Sequence, residues 1–516
     1  MLNSLIQYEQ KTTFEKLMKY FRTPILNCAL IAAAFTLTIT STAQATELDM
    51  QSILDRLQKL EQENQQLKQQ YQELASDHQQ HHGEGEMAHH QDAKPSTPEA
   101  SSEISKGLVK FDSSFAYDFL DPTTNINQKQ LMLLNAKKSG ELADNSVSLQ
   151  GGVTAIANYQ SSNEPNLFGY LMRHPTANNQ RGKTVSEATI HSAQLGFNAT
   201  MGDSITASAE LLFDPEQSFG AGTNTALGRN QVQVRRAYVL FGNLDKSPVY
   251  ASLGKMAIPF GLTDTVSPFT ASTVWHAFGG LANGGQIGYS KNGLNLTAMA
   301  VQGGAQFRAA NSPVEGTSVP SKLNNFALDV NYEFGFDSNS SLLLGASYQK
   351  GSAYCQSFPI THFSPCAEAN GAYDIYARWM NESWTLKGEF ASTEDKWAGT
   401  FNPALPQFAA SKVTSFDVGV QYRNQLWSKP VSYSLEFSNF DAGPAGSEWE
   451  RQNQLVLGLA LKYAPNVKLF SELMRVEGFA PLNFLSGGNF PGEPGRTHSD
   501  ASAESNIFML GVNAAF

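Results

Sequence analysis

The chain has 516 residues, of which 16% are charged, and its formal net charge is −11. This charged fraction is well below the roughly 25% of ordinary soluble domains. The negative net charge argues against nucleic acid as a partner. The mean hydropathy is only −0.30, and beyond the N-terminus no apolar run approaches the ~18 residues that a spanning helix needs. Together these two observations exclude a helical membrane protein.

Residues 1–45 have the pattern of an export signal. Basic residues between positions 11 and 22 precede an apolar run over residues 25–39, and Ala43-Gln44-Ala45 then fits the small-residue cleavage pattern. A single membrane anchor is the alternative, but the run is short for one. We therefore predict a signal peptide that ends at Ala45.

Residues 46–75 are predicted to form a coiled-coil helix in the periplasm. Heptads run through residues 47–75, and Asn64 at an a position would fix register and strand number. We expect this segment to make a homo-oligomer, either a trimer, the preferred state, or a dimer. An amphipathic helix lying on its own domain is the alternative. The a positions are Met50, Leu57, Asn64 and Tyr71, and the d positions are Ile53, Leu60, Leu67 and Leu74.

Residues 76–106 form a polar segment that holds half of the ten histidines of the chain. Histidine-rich tracts can bind divalent metal loosely, but without a folded frame the geometry is unspecified. A solvated linker is the preferred interpretation, and we predict no cofactor. The five histidines are His78, His81, His82, His89 and His90.

Residues 107–144 precede the first long strand and are predicted to hold a strand and a short helix. Phe111, Phe115 and Phe119 belong to an apolar alternation that reads as a strand. Asn127, with Gln130 three residues later, resembles a capping box at a helix start. We expect this segment to be a small obstruction in the lumen of the domain that follows.

Residues 145–516 alternate between apolar and polar side chains in segments of about ten residues. Phe326, Leu328 and Val330 oppose Asp329 and Asn331, for example, and the breaks between segments are short and long in turn. Eight long connections between antiparallel segments imply about sixteen strands. This plan predicts an all-β membrane protein, an antiparallel barrel of the bacterial outer membrane surrounded by lipid; a soluble β-sandwich is the alternative.

The last residues of the chain read as the strand that closes this barrel. Phe508, Leu510 and Val512 share one parity with the terminal Phe516. A final aromatic with a glycine five residues before it, here Gly511, resembles the C-terminal assembly signal of outer-membrane proteins.

The face of the strands that avoids lipid is charged, so we predict a water-filled lumen. Arg235 and Arg236 are adjacent, and alternation would place only one of them inside. The charged residues of this face are Glu210, Asp329, Glu333, Asp374, Arg378, Lys387, Glu389, Asp417, Arg423, Glu436, Lys462, Lys468 and Glu472.

Residues 253–280 leave the sixth strand and begin the third long connection, which either folds inward to narrow the pore or stays external. Pro259 and Pro268 stiffen it, and Gly261 allows a sharp bend. The candidate pore and ligand residues are the loop residues Asp264, Trp275 and His276, the loop aromatics Trp397 and Trp449, and the strand residues Arg378, Lys387 and Glu389.

Two further expectations concern chemistry. Cys355 and Cys366 lie in one long connection of an exported chain, so we predict a disulfide between them. No histidine lies in a G-x-S-x-G or H-E-x-x-H pattern, so we predict that the protein is not an enzyme.

The export signal, the coiled coil and the motif G-K-x-x-x-P-F-G, Gly254 to Gly261, resemble the siderophore porins typified by the legiobactin receptor of Legionella. The stretch from Asn125 to Lys138 resembles the segment that precedes the barrel in that family. The resemblance implies passage of a ferric siderophore across the outer membrane, with the N-terminal extension in the periplasm. It supplies no binding residues. A general or carbohydrate-selective porin and an envelope-tethering adhesin are the alternatives.

Overall fold

A computed structural model describes eleven stretches of the chain, and these carry all the structural statements below. Five sets of predicted features lie outside them: the signal peptide, the coiled coil, the histidine-rich linker, the cysteine pair Cys355 and Cys366, and the tryptophans Trp397 and Trp449. The described residues are 109–111, 113–121, 123–165, 182–213, 232–302, 322–337, 339–354, 369–396, 411–445, 450–478 and 501–516.

Seventeen strands form in these residues. Their apolar and polar side chains alternate, and in a strand this alternation puts the apolar side chains on one face of the sheet and the polar ones on the other. They are β1 (Val109–Phe111), β2 (Val147–Ser162), β3 (Thr184–Met201), β4 (Ile205–Phe213), β5 (Val232–Phe241), β6 (Val249–Ala257), β7 (Leu281–Lys291), β8 (Leu294–Val301), β9 (Asn325–Asp337), β10 (Ser340–Gln349), β11 (Ala372–Met380), β12 (Trp384–Lys396), β13 (Lys412–Leu426), β14 (Lys429–Asp441), β15 (Arg451–Ala464), β16 (Val467–Gly478) and β17 (Glu504–Ala515).

Strands β2 to β17 form a closed barrel of sixteen antiparallel strands. Each strand pairs with its neighbours in the chain, and β17 closes the ring on β2 from Ser505 opposite Ser162 to Ala515 opposite Gly152. The predicted architecture is therefore confirmed. Strand β1 stands outside this order, because it pairs in parallel with the first residues of β2, Val109 opposite Val147.

The outer face of the barrel is apolar and the inner face is polar. Outward side chains are exposed on nearly every strand, and aromatic residues gather near the short turns, as in the interfacial girdles of membrane barrels. Exposed outward residues include Leu195, Leu253, Ile287, Leu328, Leu344, Ile375, Leu386, Val418, Leu435, Leu457 and Leu510, and the exposed aromatics near the short turns include Tyr332, Phe334, Phe336, Trp384, Trp427, Tyr463 and Phe516.

Three helices, α1 (Ser113–Leu120), α2 (Lys129–Lys138) and α3 (Thr273–Phe278), lie in the described residues. Among these residues, no helix has the length and the apolar content that crossing a membrane requires.

The predicted strand over residues 108–119 is wrong from Ser113 onward, where α1 begins. Phe115 and Phe119 lie on the same parity of a strand but are also four residues apart. On the helix this spacing stacks their rings at 5.4 Å. The helix after Asn127 is present, but it begins at Lys129 and no side chain caps it.

The terminal phenylalanine seals the closing pair of strands. The amide of Phe516 donates to the carbonyl of Gly151, and the amide of Gly151 donates back to Phe516. The ring lies over Gly151, where a Cβ atom would come within 2.0 Å of it. Only glycine leaves room for the ring at this position.

Candidate functional site

The connection between β6 and β7 lies inside the barrel. We call residues 258–280 the inner loop; its sharp bend is at Gly261, where φ is +70°. The amide of Gly261 donates to the hydroxyl of Ser347 on β10 at 2.9 Å. A Cβ atom there would lie 2.5 Å from a carboxylate oxygen of Glu389. Of the two alternatives for this connection, the structure shows the inward one.

Three glutamates on alternate strands hold the inner loop against the wall. Glu389, Glu436 and Glu472 lie on β12, β14 and β16, and all three are almost fully buried. Their carboxylates accept successive backbone amides of the loop, from Thr263 at 2.9 Å, from Ser267 at 3.0 Å and from Phe269 at 2.8 Å and Thr270 at 3.0 Å. The three carboxyl groups therefore tie successive residues of the inner loop to three strands of the wall.

Lys387 lies among these carboxylates. Its Nζ is 2.6 Å from Asp417, 3.5 Å from Glu389 and 3.9 Å from Glu436. It also donates to the backbone carbonyl of Asp264 in the inner loop. The side chain of Lys387 is only 1% exposed, so this buried charge is balanced by acids on three strands and tied to the loop at once.

Arg378 and Asp264 form the second ion pair of the loop. The guanidinium of Arg378 on β11 lies 3.0 Å from the carboxylate of Asp264. Of the residues proposed from the sequence, the structure therefore brings Asp264, Arg378, Lys387 and Glu389 into one connected group.

Trp275 and His276 lie elsewhere on the inner loop, in α3. Ser272 caps this helix by accepting from the amide of Trp275 at 3.2 Å. Thr273 anchors it to β14 through the carbonyl of Asn439 at 2.8 Å. The two aromatic rings meet edge to face at 4.9 Å. Both side chains are half-buried.

The N-terminal helices also lie within the barrel. We call residues 113–138 the plug, comprising α1, α2 and the turn between them. Leu133 and Leu134 are almost completely buried, and with Phe119 they join an apolar cluster that includes Tyr238 and Leu240 of the barrel wall. The sequence predicted an obstruction and the helix α2 here, but it gave no sign of α1.

The plug and the inner loop are joined by hydrogen bonds. The amide of Ile126 donates to the carboxylate of Asp264 at 3.1 Å. The side chain of Asn127 donates to two loop carbonyls, those of Phe260 and Gly261, each at 2.9 Å. Asn127 thus binds the loop instead of capping a helix. A fourth bond runs from the amide of Thr265 to the carbonyl of Thr123 at 2.9 Å.

Lys129 holds the two helices of the plug together. Its Nζ donates to the carbonyls of Asp118, Asp121 and Thr124 at 3.4, 3.2 and 3.2 Å. Burial, together with the nearby charge of Arg236, lowers the pKa of Lys129 to about 8. Seating the plug therefore disfavours the charged form of this lysine.

Arg235 and Arg236 correct a prediction. Both face inward, because a β-bulge between Glu210 and Leu211 shifts the register of β4 and β5. Each guanidinium binds the carboxylate of Glu210, at 3.1 and 2.8 Å, and both are more than nine-tenths buried. Strict alternation had placed only one of them inside.

Plug, inner loop and wall meet closely. Between them and strands β6 to β11 lies a cavity of about 20 Å³, roughly enough for one water molecule. Its lining is polar and includes Asn127, Asp264, Asn295, Asn331 and Tyr376. Seven of the thirteen charged residues that were predicted to face water are instead buried, and five of these seven form ion pairs: Glu210, Lys387, Glu389, Asp417 and Glu436. In the described part of the chain, no cluster of histidine, cysteine or acidic residues is arranged to hold a metal ion.

Comparisons with known proteins return porin barrels. The anion-selective porin of Comamonas acidovorans is 15% identical, with a TM-score of 0.46 over 72% of this chain and 99% of that one. OmpF of Salmonella typhi is 12% identical, with a TM-score of 0.44 over 72% of this chain and 97% of that one. OmpT of Vibrio cholerae is also 12% identical, with a TM-score of 0.43 over the same shares of the two chains. No protein-family model and no curated protein sequence matches the chain.

Proposed function

We propose that the protein is a porin-like channel of the bacterial outer membrane. The observation that carries this is the closed sixteen-stranded barrel with apolar side chains outside and ionised side chains inside. Exposed residues such as Leu253, Ile287 and Ile375 are stable in lipid, whereas buried charges such as Lys387 require a polar interior. By the usual plan of such barrels, the short turns face the periplasm.

The finer proposal is that the channel imports a ferric siderophore and performs no catalysis. The motif that resembles siderophore porins, Gly254 to Gly261, lies where the chain leaves β6 and enters the lumen. Each of its last residues has a role there, because Phe260 and Gly261 carry the carbonyls that Asn127 binds. The plug and the inner loop both occupy the lumen, and this favours regulated passage of a large solute over free diffusion.

A carbohydrate-selective porin is the second candidate. The observation that favours it is the polar lining of the small cavity, where side-chain amides and phenol groups converge beside the carboxylates of Asp264 and Asp329. The amides and phenols are those of Asn127, Asn295, Asn331, Tyr250 and Tyr376. Such groups can hydrogen-bond sugar hydroxyls without requiring charge.

Iron accumulation in a deletion strain tests the proposal. Cells that lack the protein are expected to lose uptake of radiolabelled ferric siderophore under iron starvation and to keep uptake of small sugars. Re-expression of the chain should restore uptake. Unchanged iron accumulation, together with swelling of sugar-containing proteoliposomes, would replace siderophore import with the sugar porin.

A further inference from the structure

We infer that the plug is a displaceable gate that leaves the lumen toward the short-turn end as one hinged segment. This inference rests on the proposed channel function but not on the identity of the solute. It is carried by the path of the chain into and out of the barrel, by the kind of contact that seats the plug, and by its joint with the inner loop.

The two ends of the plug are fixed at the same rim. Strand β1 precedes the plug and pairs with the first residues of β2, Val109 opposite Val147 and Phe111 opposite Leu149. The chain then enters the barrel, forms α1 and α2, and returns to begin β2 at Val147. Because both ends lie at one rim, the segment can swing out without threading the chain through the barrel.

The contacts that seat the plug are mainly apolar. Phe119, Leu133 and Leu134 pack on the wall, and few polar bonds reach the strands: Gln130 donates to Gln286 at 3.2 Å, and Gln194 donates to the carbonyl of Leu120 at 3.3 Å. Water can replace such neutral partners when the plug leaves. Apolar contact nevertheless keeps the segment seated at rest, so spontaneous openings are rare.

One ion pair also links the plug to the wall. Asp121 lies 3.5 Å from Lys468. Burial opposes its ionisation, but the charge of Lys468 and two hydrogen bonds from Thr123 outweigh burial and hold the pKa of Asp121 below its usual value. When the plug leaves, Asp121 enters water and Lys468 keeps its hydrogen bond to the carbonyl of Pro268 at 3.0 Å, so the pair does not prevent release.

The joint with the inner loop makes plug release affect the rest of the lumen. Asp264 shares its carboxylate between the amide of Ile126 in the plug and the guanidinium of Arg378 in the wall. Departure of the plug removes the first partner, and it also frees the carbonyls of Phe260 and Gly261 from Asn127. The bend of the inner loop then loses the bonds that fix it on the plug side.

Single-channel conductance in potassium chloride tests the gate without any siderophore. We compare the wild type with a variant in which a short Gly/Ser linker replaces residues 113–138, which keeps β1 and β2. The deletion is expected to give steady, larger conductance, and the wild type brief, rare openings. Heat-dependent mobility on gels checks that each barrel is folded. A folded deletion barrel with wild-type conductance would overturn the inference.

A reversible link provides the reciprocal test. Gln130→Cys and Gln286→Cys, in a chain that also carries Cys355→Ser and Cys366→Ser, are joined by a short reducible bis-thiol reagent, and mass spectrometry verifies the link. Openings are expected to vanish when the residues are linked and to return on reduction. Openings that persist at the same frequency in the linked protein contradict a displaceable plug.

The joint itself is tested by Asn127→Ala, which removes two hydrogen bonds between the plug and the inner loop. Open probability is expected to rise about tenfold. Asn424→Ala, at an exposed asparagine on β13, is the matched control and should leave it unchanged. An equal effect of both substitutions, or no effect of Asn127→Ala, would show that the plug and the inner loop are not coupled at this joint.

Discussion

The inner loop and the plug both occupy the lumen, but they are held by different forces. Buried carboxylates of Glu389, Glu436 and Glu472 accept hydrogen bonds from the amides of the loop, and Lys387 lies 3.5 Å and 3.9 Å from the first two. The plug rests mainly on apolar side chains and neutral hydrogen bonds, with one ion pair to the wall between Asp121 and Lys468. Leaving a buried charge without its partner costs far more than exchanging a neutral contact for water. We therefore expect the inner loop to stay bound to the barrel wall and the plug to be the segment that can leave the lumen.

The largest test of this difference is Lys387→Met. The substitution leaves Asp417, Glu389 and Glu436 without their buried cation, so we expect the free energy of unfolding to fall by about 3–5 kcal/mol. Thermal unfolding followed by heat-dependent gel mobility measures it. Lys412→Met, at an exposed lysine of β13, should change stability by less than about 0.5 kcal/mol.

A double variant sharpens this result. Adding Asp417→Asn to Lys387→Met removes one of the unbalanced negative charges, and we expect it to recover part of the lost stability. The opposite result is that the effects of the two substitutions on the free energy of unfolding simply add, so that the double variant is less stable than Lys387→Met alone. That result would show that the charges do not act as one group.

Leu133→Ala tests the other side of the comparison. Leu133 is fully buried between α2 and the wall, and loss of its side chain should cost about 2–5 kcal/mol. We expect the cost to fall on the seating of the plug: channel openings become frequent, while the unfolding temperature of the barrel is unchanged. Leu131→Ala, at a half-buried position of the same helix, should have a smaller effect. If Leu133→Ala instead lowers the unfolding temperature of the barrel by an amount that matches the whole cost of about 2–5 kcal/mol, the plug unfolds together with the barrel, as the inner loop is expected to do.

The sequence predicts the barrel well because a strand with one face in lipid must alternate. The same rule fails where a bulge breaks the period. Arg235 and Arg236 both face inward only because β5 has one residue more than its partner at that point, and no residue type there announces a bulge. Likewise, the spacing of Phe115 and Phe119 satisfies a strand and a helix alike, so only the tertiary contacts of α1 decide between them.

The candidate site was visible in part. Asp264, Arg378, Lys387 and Glu389 were selected as charged residues of the loop and the wall, and they contact one another. Glu472 was noted only as one charge of the inner face, because nothing in the sequence connects it with Phe269, an amide 203 positions away. Long-range pairing of a side chain with a backbone amide leaves no trace in local patterning.

Lys129 offers the smallest and most specific test, because its charge distinguishes a seated plug from a released one. In the seated plug burial lowers its pKa to about 8 from the ordinary value of 10.5. In a released plug the side chain is in water and regains the ordinary value. Between these two values the released state holds a proton that the seated state lacks, so raising the pH favours the seated state. Below the lower value both states are protonated, and pH has no further effect through this group.

Open probability should therefore fall as the pH is raised from about 8 toward 10, by at most about tenfold per pH unit for one proton. Single-channel recordings at fixed salt measure it. Lys129→Met removes the titrating group, and the variant should show no such slope even though it also loses the three carbonyl bonds of the ammonium. The inner loop gives the contrast: its anchor Lys387 contacts Asp417 and Glu389 at 2.6 and 3.5 Å, and we expect these contacts to be the same whether or not the plug is seated. A slope that survives in Lys129→Met would show that another group carries the pH dependence and would contradict the role given to Lys129.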